Sequence, residues 1–123
     1  MVPGKYNINI FRGSTWSIKV AASDGLSSRN FATTYSSIRI QVRPAWTVKP
    51  SDAVGTPLLE LSLVNGRIVT TAEGITITLT AKETAKLAFN SGVYELEMTT
   101  DDVIPVVDKY LYGKVTVTGE ITL

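Results

Sequence analysis

Gly74-Ile-Thr-Ile-Thr-Leu-Thr-Ala-Lys-Glu-Thr-Ala-Lys-Leu-Ala-Phe-Asn-Ser-Gly-Val-Tyr-Glu-Leu-Glu-Met98 decides the fold. Ile75, Ile77 and Leu79 alternate with Thr76, Thr78 and Thr80. That period of two puts every second side chain of a strand on one face. Thr80-Ala-Lys-Glu83 then has capping-box spacing, in which a hydroxyl and a carboxylate satisfy the free amides of a helix start. Ala81 to Leu87 holds good helix formers, so a helix of about two turns is predicted, stopped by Asn90-Ser-Gly92. Tyr94, Leu96 and Met98 share a face of the next strand, with Glu95 and Glu97 on the other.

Alternation of the same kind continues on both sides of this stretch. Tyr6, Ile8 and Ile10 form one set, and Trp16, Ile18 and Val20 another. Ser23-Asp-Gly25 reads as a turn and residues 26–35 as a polar loop. In Ser37–Arg43, Ile38, Ile40 and Val42 would face a core, while Arg39, Gln41 and Arg43 face solvent or a partner. Pro44 ends that strand, because proline cannot donate to a ladder. Pro44 to Pro57, with three prolines, Gly55 and Trp46, reads as the longest irregular segment and a candidate functional loop. Leu59, Leu61 and Leu63 alternate before Asn65-Gly66, the pair that favours a type I′ hairpin turn, so a hairpin is predicted there. After a turn around Pro105, Leu111, Val115, Val117 and Ile121 can point inward. Seven to nine short strands with one short helix argue for an all-β, antiparallel sandwich, read as one domain over residues 1–123.

Composition excludes more chemistry than it suggests. The chain has no histidine and no cysteine, which removes Ser-His-Asp, Cys-His and His-Glu-x-x-His sites together with disulfides and thiolate zinc. Its 44% hydrophobic and 19% charged residues are those of a globular protein. A net charge of +1 gives no reason to expect a nucleic-acid or membrane partner. No signal-peptide h-region opens the chain and no run is long enough to span a bilayer, so a chain made and kept in the cytosol, unless it leaves inside a larger particle, is expected.

Several motifs in order resemble one group of proteins. They are Phe11-Arg-Gly-Ser-Thr-Trp16, Ile38-Arg-Ile-Gln-Val-Arg43, the strand–helix–strand from Ile75 to Met98, and Tyr110-Leu-Tyr-Gly-Lys-Val-Thr-Val117. Their order and spacing, from about residue 6 onward, are similar to the small immunoglobulin-like virion proteins of tailed bacteriophages. Leu87 to Tyr94 is also similar to the tyrosine corner of such sandwiches, with Leu87 plugging the core and the Tyr94 hydroxyl tied to upstream backbone. The resemblance implies a non-enzymatic virion structural protein without cofactor, acting as an interaction module in the tail, neck or fibre-attachment region. Its partners would be other virion proteins and copies of itself in a symmetric assembly, with no nucleic acid and no membrane. A head decoration or cement protein, and a carbohydrate-binding host-adhesion module, are the alternatives. The proline-rich loop departs from the pattern and suggests contacts peculiar to this chain.

Few residues present themselves as a site. Glu95, Glu97, Asp101, Asp102 and Asp108 are the densest acids: a calcium site, a glycosidase pair, or a solvated face paired with lysines. Trp16 reads as core. Trp46 reads equally as an interface anchor or as packing beneath its loop. With Arg39 and Arg43 it forms the candidate protein interface, since arginine is enriched at interfaces. A glycan platform would need Trp46, Tyr35, Tyr110 and Tyr112 exposed.

Overall fold

A computed structural model describes residues 4–21, 35–44, 57–71, 74–100 and 103–119. The strands are β1 (Gly4–Lys5), β2 (Ile8–Phe11), β3 (Trp16–Ala21), β4 (Tyr35–Arg43), β5 (Leu59–Ser62), β6 (Ile68–Thr70), β7 (Gly74–Leu79), β8 (Ser91–Thr100) and β9 (Val107–Thr118). Helix α1 (Ala81–Ala85) joins β7 to β8. The predicted turn at 23–25, residues 45–56 with Trp46, and Ile121 lie outside the described residues.

Two sheets face each other. One has the order β1-β9-β8-β4-β5, with β2 also on β9; the other is β3-β7-β6. β1 and β2 run parallel to β9, and the remaining pairs are antiparallel. This is the immunoglobulin arrangement: β3, β7 and β6 stand as strands B, E and D, and β4, β8 and β9 as C, F and G, with β5 added as C′. The alternating sets meet between the sheets. Ile38, Ile40 and Val42 of β4, Tyr94, Leu96 and Met98 of β8, and Ile75, Ile77 and Leu79 of β7 are all buried. Each such side chain contributes about 1.5–3 kcal/mol of burial.

The capping box forms as its spacing predicts. Glu83 N–H donates to Thr80 Oγ1 at 3.2 Å, and Thr80 N–H to Glu83 Oε1 at 2.9 Å. The bond from the Thr80 backbone holds the Glu83 carboxyl below its ordinary value; slight burial works against this, and Arg67 supports it. The helix is shorter than predicted, five residues, because Lys86 already serves as its C-cap. The buried Thr84 hydroxyl then engages the β2–β3 turn, accepting from Gly13 N–H at 3.1 Å and lying 2.8 Å from the Ser14 carbonyl. Arg12 reaches the same connection: Nε donates to Leu87 O at 2.9 Å, and Nη2 to Phe89 O at 2.8 Å and Asn90 Oδ1 at 2.9 Å. The Arg12-Gly13 step is therefore a clamp holding the β7–β8 crossover against the N-terminal strands.

Tyr94 makes a tie, but to a more distant acceptor than a tyrosine corner uses. Its hydroxyl donates to the Tyr6 carbonyl at 2.5 Å, 88 residues upstream. Burial pushes the phenol well above its ordinary value, with Tyr6 adding to the effect, so it remains a protonated donor. Tyr6 sits where the N-terminal strand breaks between β1 and β2, and is exposed where alternation had placed it in the core. The break is stitched by Tyr6 N–H to Tyr112 O at 2.9 Å and Lys114 N–H to Asn7 Oδ1 at 3.1 Å. Gly113, paired with Tyr94 across β8–β9, lies beneath it; a Cβ there would sit 2.2 Å from the Tyr6 oxygen.

Three further expectations change. Asn65-Gly66 does not close a hairpin, because β5 and β6 belong to different sheets. Gly66 has the positive φ, 79°, that the pair suggested. The Asn65 side chain organises the crossover by accepting from Ser62 N–H and Arg67 N–H at 3.0 and 3.1 Å. Gly92 is no turn residue but a buried member of β8, where a Cβ would approach Val42 and the Arg43 carbonyl within 3.0 Å. β4 begins at Tyr35, so the last residue of the expected loop is a buried strand residue.

Candidate interaction surface

The outer face of the β9-β8-β4-β5 sheet carries the polar half of each alternating strand. Arg39 pairs in register with Glu97, and Glu97 with Lys109; Gln41, Glu95 and Tyr112 form the next row. Arg39 Nε and Nη2 both donate to Glu97 Oε1, at 3.2 and 3.1 Å, and Lys109 Nζ donates to Glu97 Oε2. Lys109 Nζ also lies 4.0 Å from Glu95 Oε2. Arg43 donates to Gln41 Oε1 at 3.3 Å along its own strand. Arg39 and Arg43 thus lie on one face as predicted, but Arg39 is neutralised by Glu97. Trp46, the third residue of the predicted interface, lies outside the described residues.

Glu97 controls this face electrostatically. Partial burial raises its pKa, but the hydrogen bond and charge of Lys109, with the charge and hydrogen bond of Arg39, outweigh that and leave it below its ordinary value. The sign follows from linkage: a carboxylate with a depressed folded pKa stabilises the fold above its unfolded pKa, and loses that contribution as pH falls through the folded value. Thermal melts should therefore show wild type losing stability relative to Glu97→Gln as pH drops below about 4.3, the ordinary glutamate value. Parallel melting curves for the two proteins across that range would refute the pairing.

No group of three potential metal ligands occurs among the described residues. Asp108 turns inward from the others and accepts from the Tyr35 hydroxyl at 3.2 Å, while Asp101 and Asp102 lie outside the described residues. Tyr35 is buried, which removes it from any glycan platform; Tyr110 and Tyr112 are half-buried, and Tyr110 packs against the core.

Among the described residues, the longest run of exposed apolar side chains lies elsewhere, at the tip of the β8–β9 hairpin. Val103 and Ile104 are 102% and 81% exposed, Pro105 is exposed, and Val106 and Val107 are about half exposed. β8 and β9 are paired from Ser91–Thr116 to Thr99–Val107, so the tip stands on a long ribbon whose register shifts once, between Leu96 and Glu97. Thr100 closes its base, donating to Val106 O at 2.9 Å and accepting from Val106 N–H at 2.8 Å. Exposed apolar side chains contiguous at a tip make it the candidate contact surface among the described residues. A signal was present: Val-Ile-Pro-Val-Val has neither the period of a strand nor the polarity of a turn. Reading it only as a turn around Pro105 missed this.

No family profile matches the chain, and no curated protein matches it. Among solved structures, one similar fold is that of the extracellular domains of the voltage-gated sodium channel beta4 subunit. It was described as parallel homodimers that explain that protein's role in cell–cell adhesion. Identity is 14%, coverage 98% of this chain and 97% of the other, and the TM-score 0.46. The immunoglobulin-like assignment rests on the strand order and pairing.

Proposed function

We propose that the chain is a non-enzymatic protein–protein interaction module of a tailed-phage virion, located in the tail, neck or fibre-attachment region. The observation that carries the interaction role is the Val103–Val107 tip, which presents a run of exposed apolar side chains at the end of a long hairpin. Such a tip contributes by desolvation against a partner. A stiff sandwich presents it without a large ordering cost, and many copies on a symmetric particle multiply a modest single contact. The virion assignment is supported by the ordered sequence motifs. Two of these, Arg12-Gly13 and Gly113, have specific structural tasks in this fold. Burial of Tyr35 leaves the carbohydrate-binding alternative fewer aromatics for a platform.

Quantitative mass spectrometry of purified particles tests this reading. The chain should be present at a fixed copy number, and Val103→Ser/Ile104→Ser should lower its incorporation while leaving the melting temperature unchanged. Absence of the wild-type chain from purified particles would sink the proposal.

A further inference from the structure

Of the five asparagines in the chain, Asn65 alone precedes a glycine; Asn7 and Asn9 precede isoleucine, Asn30 phenylalanine and Asn90 serine. The side-chain amide of an asparagine is open to attack by the main-chain nitrogen of the next residue. Glycine, with no Cβ, shields that nitrogen least. Asn65 and Gly66 are both exposed, and a Cβ on Gly66 would meet no described atom within 4 Å. Water therefore reaches the turn, and sterics around Gly66 offer no protection.

Hydrogen bonding supplies the protection instead. Asn65 Oδ1 accepts from Ser62 N–H at 3.0 Å and Arg67 N–H at 3.1 Å, and Nδ2 donates to the Glu60 carbonyl at 2.8 Å. Asn65 N–H donates to Ser62 Oγ at 3.1 Å. The attacking group is held as well, since Gly66 N–H donates to the Leu63 carbonyl at 3.3 Å. Bringing Gly66 N onto Asn65 Cγ means rotating the side chain out of this network. The strands on either side of the turn are the least secured of their sheets. Among the described residues β5 pairs only with β4, and β6 only with β7, over three residues. Strands held on one side by few bonds open locally at lower cost than the central ladders.

We infer that Asn65 is a deamidation site gated by local opening of the β5–β6 crossover. It is closed in the folded turn and reacts when the facing ends of β5 and β6 part, without unfolding of the whole sandwich. In the step, Gly66 N gives its proton to base and attacks Asn65 Cγ. The N–Cγ bond forms, the Cγ–Nδ2 bond breaks, and Nδ2 takes up a proton and leaves as ammonia. Water then opens the succinimide ring. Attack at Cγ gives aspartate, and attack at the main-chain carbonyl carbon gives isoaspartate; nothing is oxidised or reduced. Aspartate turns an oxygen, where Nδ2 donated, toward the Glu60 carbonyl. Isoaspartate adds one atom to the main chain where it crosses between the sheets. Neither product can remake every native bond of the turn, so the site records its own opening.

Peptide mapping by mass spectrometry tests this on the full chain incubated in mildly alkaline buffer. The mass gain of an amide-to-acid change at Asn65 should accumulate about tenfold more slowly, or slower still, in the folded chain than in the chain unfolded in guanidinium chloride. Ser62→Ala removes the acceptor of Asn65 N–H and should speed the folded-state reaction about threefold or more. Tyr94→Phe weakens the sandwich through a bond that the turn does not share, and should leave the rate unchanged. Four results would overturn the inference. Equal rates in the folded and unfolded chain would show that the turn does not hold the site shut. No acceleration by Ser62→Ala would show that the network is not the gate. Equal acceleration by Tyr94→Phe and Ser62→Ala would show that only global unfolding exposes the site. A folded chain that never reacts, even as Ser62→Ala, while the unfolded chain does, would show that the crossover does not open locally.

Discussion

Gly113→Ala is expected to lower the free energy of unfolding by about 3 kcal/mol or more. The added Cβ would fall 2.2 Å from the Tyr6 carbonyl oxygen and 2.8 Å from its carbon, both backbone atoms that cannot rotate away. The N-terminal strand must lift, and the Tyr94 hydroxyl then loses its acceptor. Overpacking of this kind costs about 1–3 kcal/mol, and leaving a buried polar group unpaired costs a similar amount. Urea unfolding measures the sum. Tyr94→Phe removes only the hydrogen bond and should cost about 1–3 kcal/mol. In the Gly113→Ala background it should cost much less, since the bond is already broken. A Gly113→Ala protein as stable as wild type, or additive effects of the two substitutions, would mean that Tyr6 is not held over Gly113.

Thr84→Val should destabilise by about 1–3 kcal/mol despite near-identical volume, because the buried hydroxyl is held by the Gly13 amide and by the Ser14 and Ala81 carbonyls, and valine can replace none of these bonds. Gly13 N–H loses its acceptor, and the Ser14 carbonyl loses a donor. Hydrogen exchange should localise the effect, with the Gly13 amide and the α1 amides exchanging faster while the β4–β8 ladder keeps its protection. Thr84→Ser, which retains the hydroxyl, should recover most of the loss. A valine variant with wild-type stability would show that the β2–β3 turn is not anchored on the helix. The strand-to-helix step is thus stabilised from two sides, by the capping box at its start and by the Arg12–Thr84 clamp across the crossover.

Both predictions concern groups whose partners lie far away in the chain, and that is where reading the sequence becomes limited. Thr80 and Glu83 announce their bond because both partners fall within one turn. Thr84, one residue later, appears as an unremarkable helix residue; its partners lie 70 residues upstream. Asn65-Gly66 shows the same limit at the level of topology. The pair determines a turn with positive φ at Gly66, but a turn does not specify whether the next strand returns beside the last or crosses to the other sheet. The crossing is decided by burial: Ile68 and Leu61 both reach the core, but from opposite layers. The candidate interface divided similarly. Arg39 and Arg43 were legible as outward-facing from alternation, whereas the neutralisation of Arg39 depends on which strand lies beside β4.

By itself the sequence determined the all-β class, the period-two faces of β4, β7 and β8, the capped turn from Thr80, and the exclusion of histidine- and cysteine-based chemistry. All of these are written within a few residues or in composition. Tertiary structure alone decided that Tyr94 ties down Tyr6, that Gly113 is the floor on which Tyr6 rests, and that Val103 to Val107 stand exposed at the β8–β9 tip. Local patterns state how much of each side chain must be buried and how the backbone turns. Which strand lies alongside, and which end a loop occupies, emerge only when both sheets bury their faces against each other.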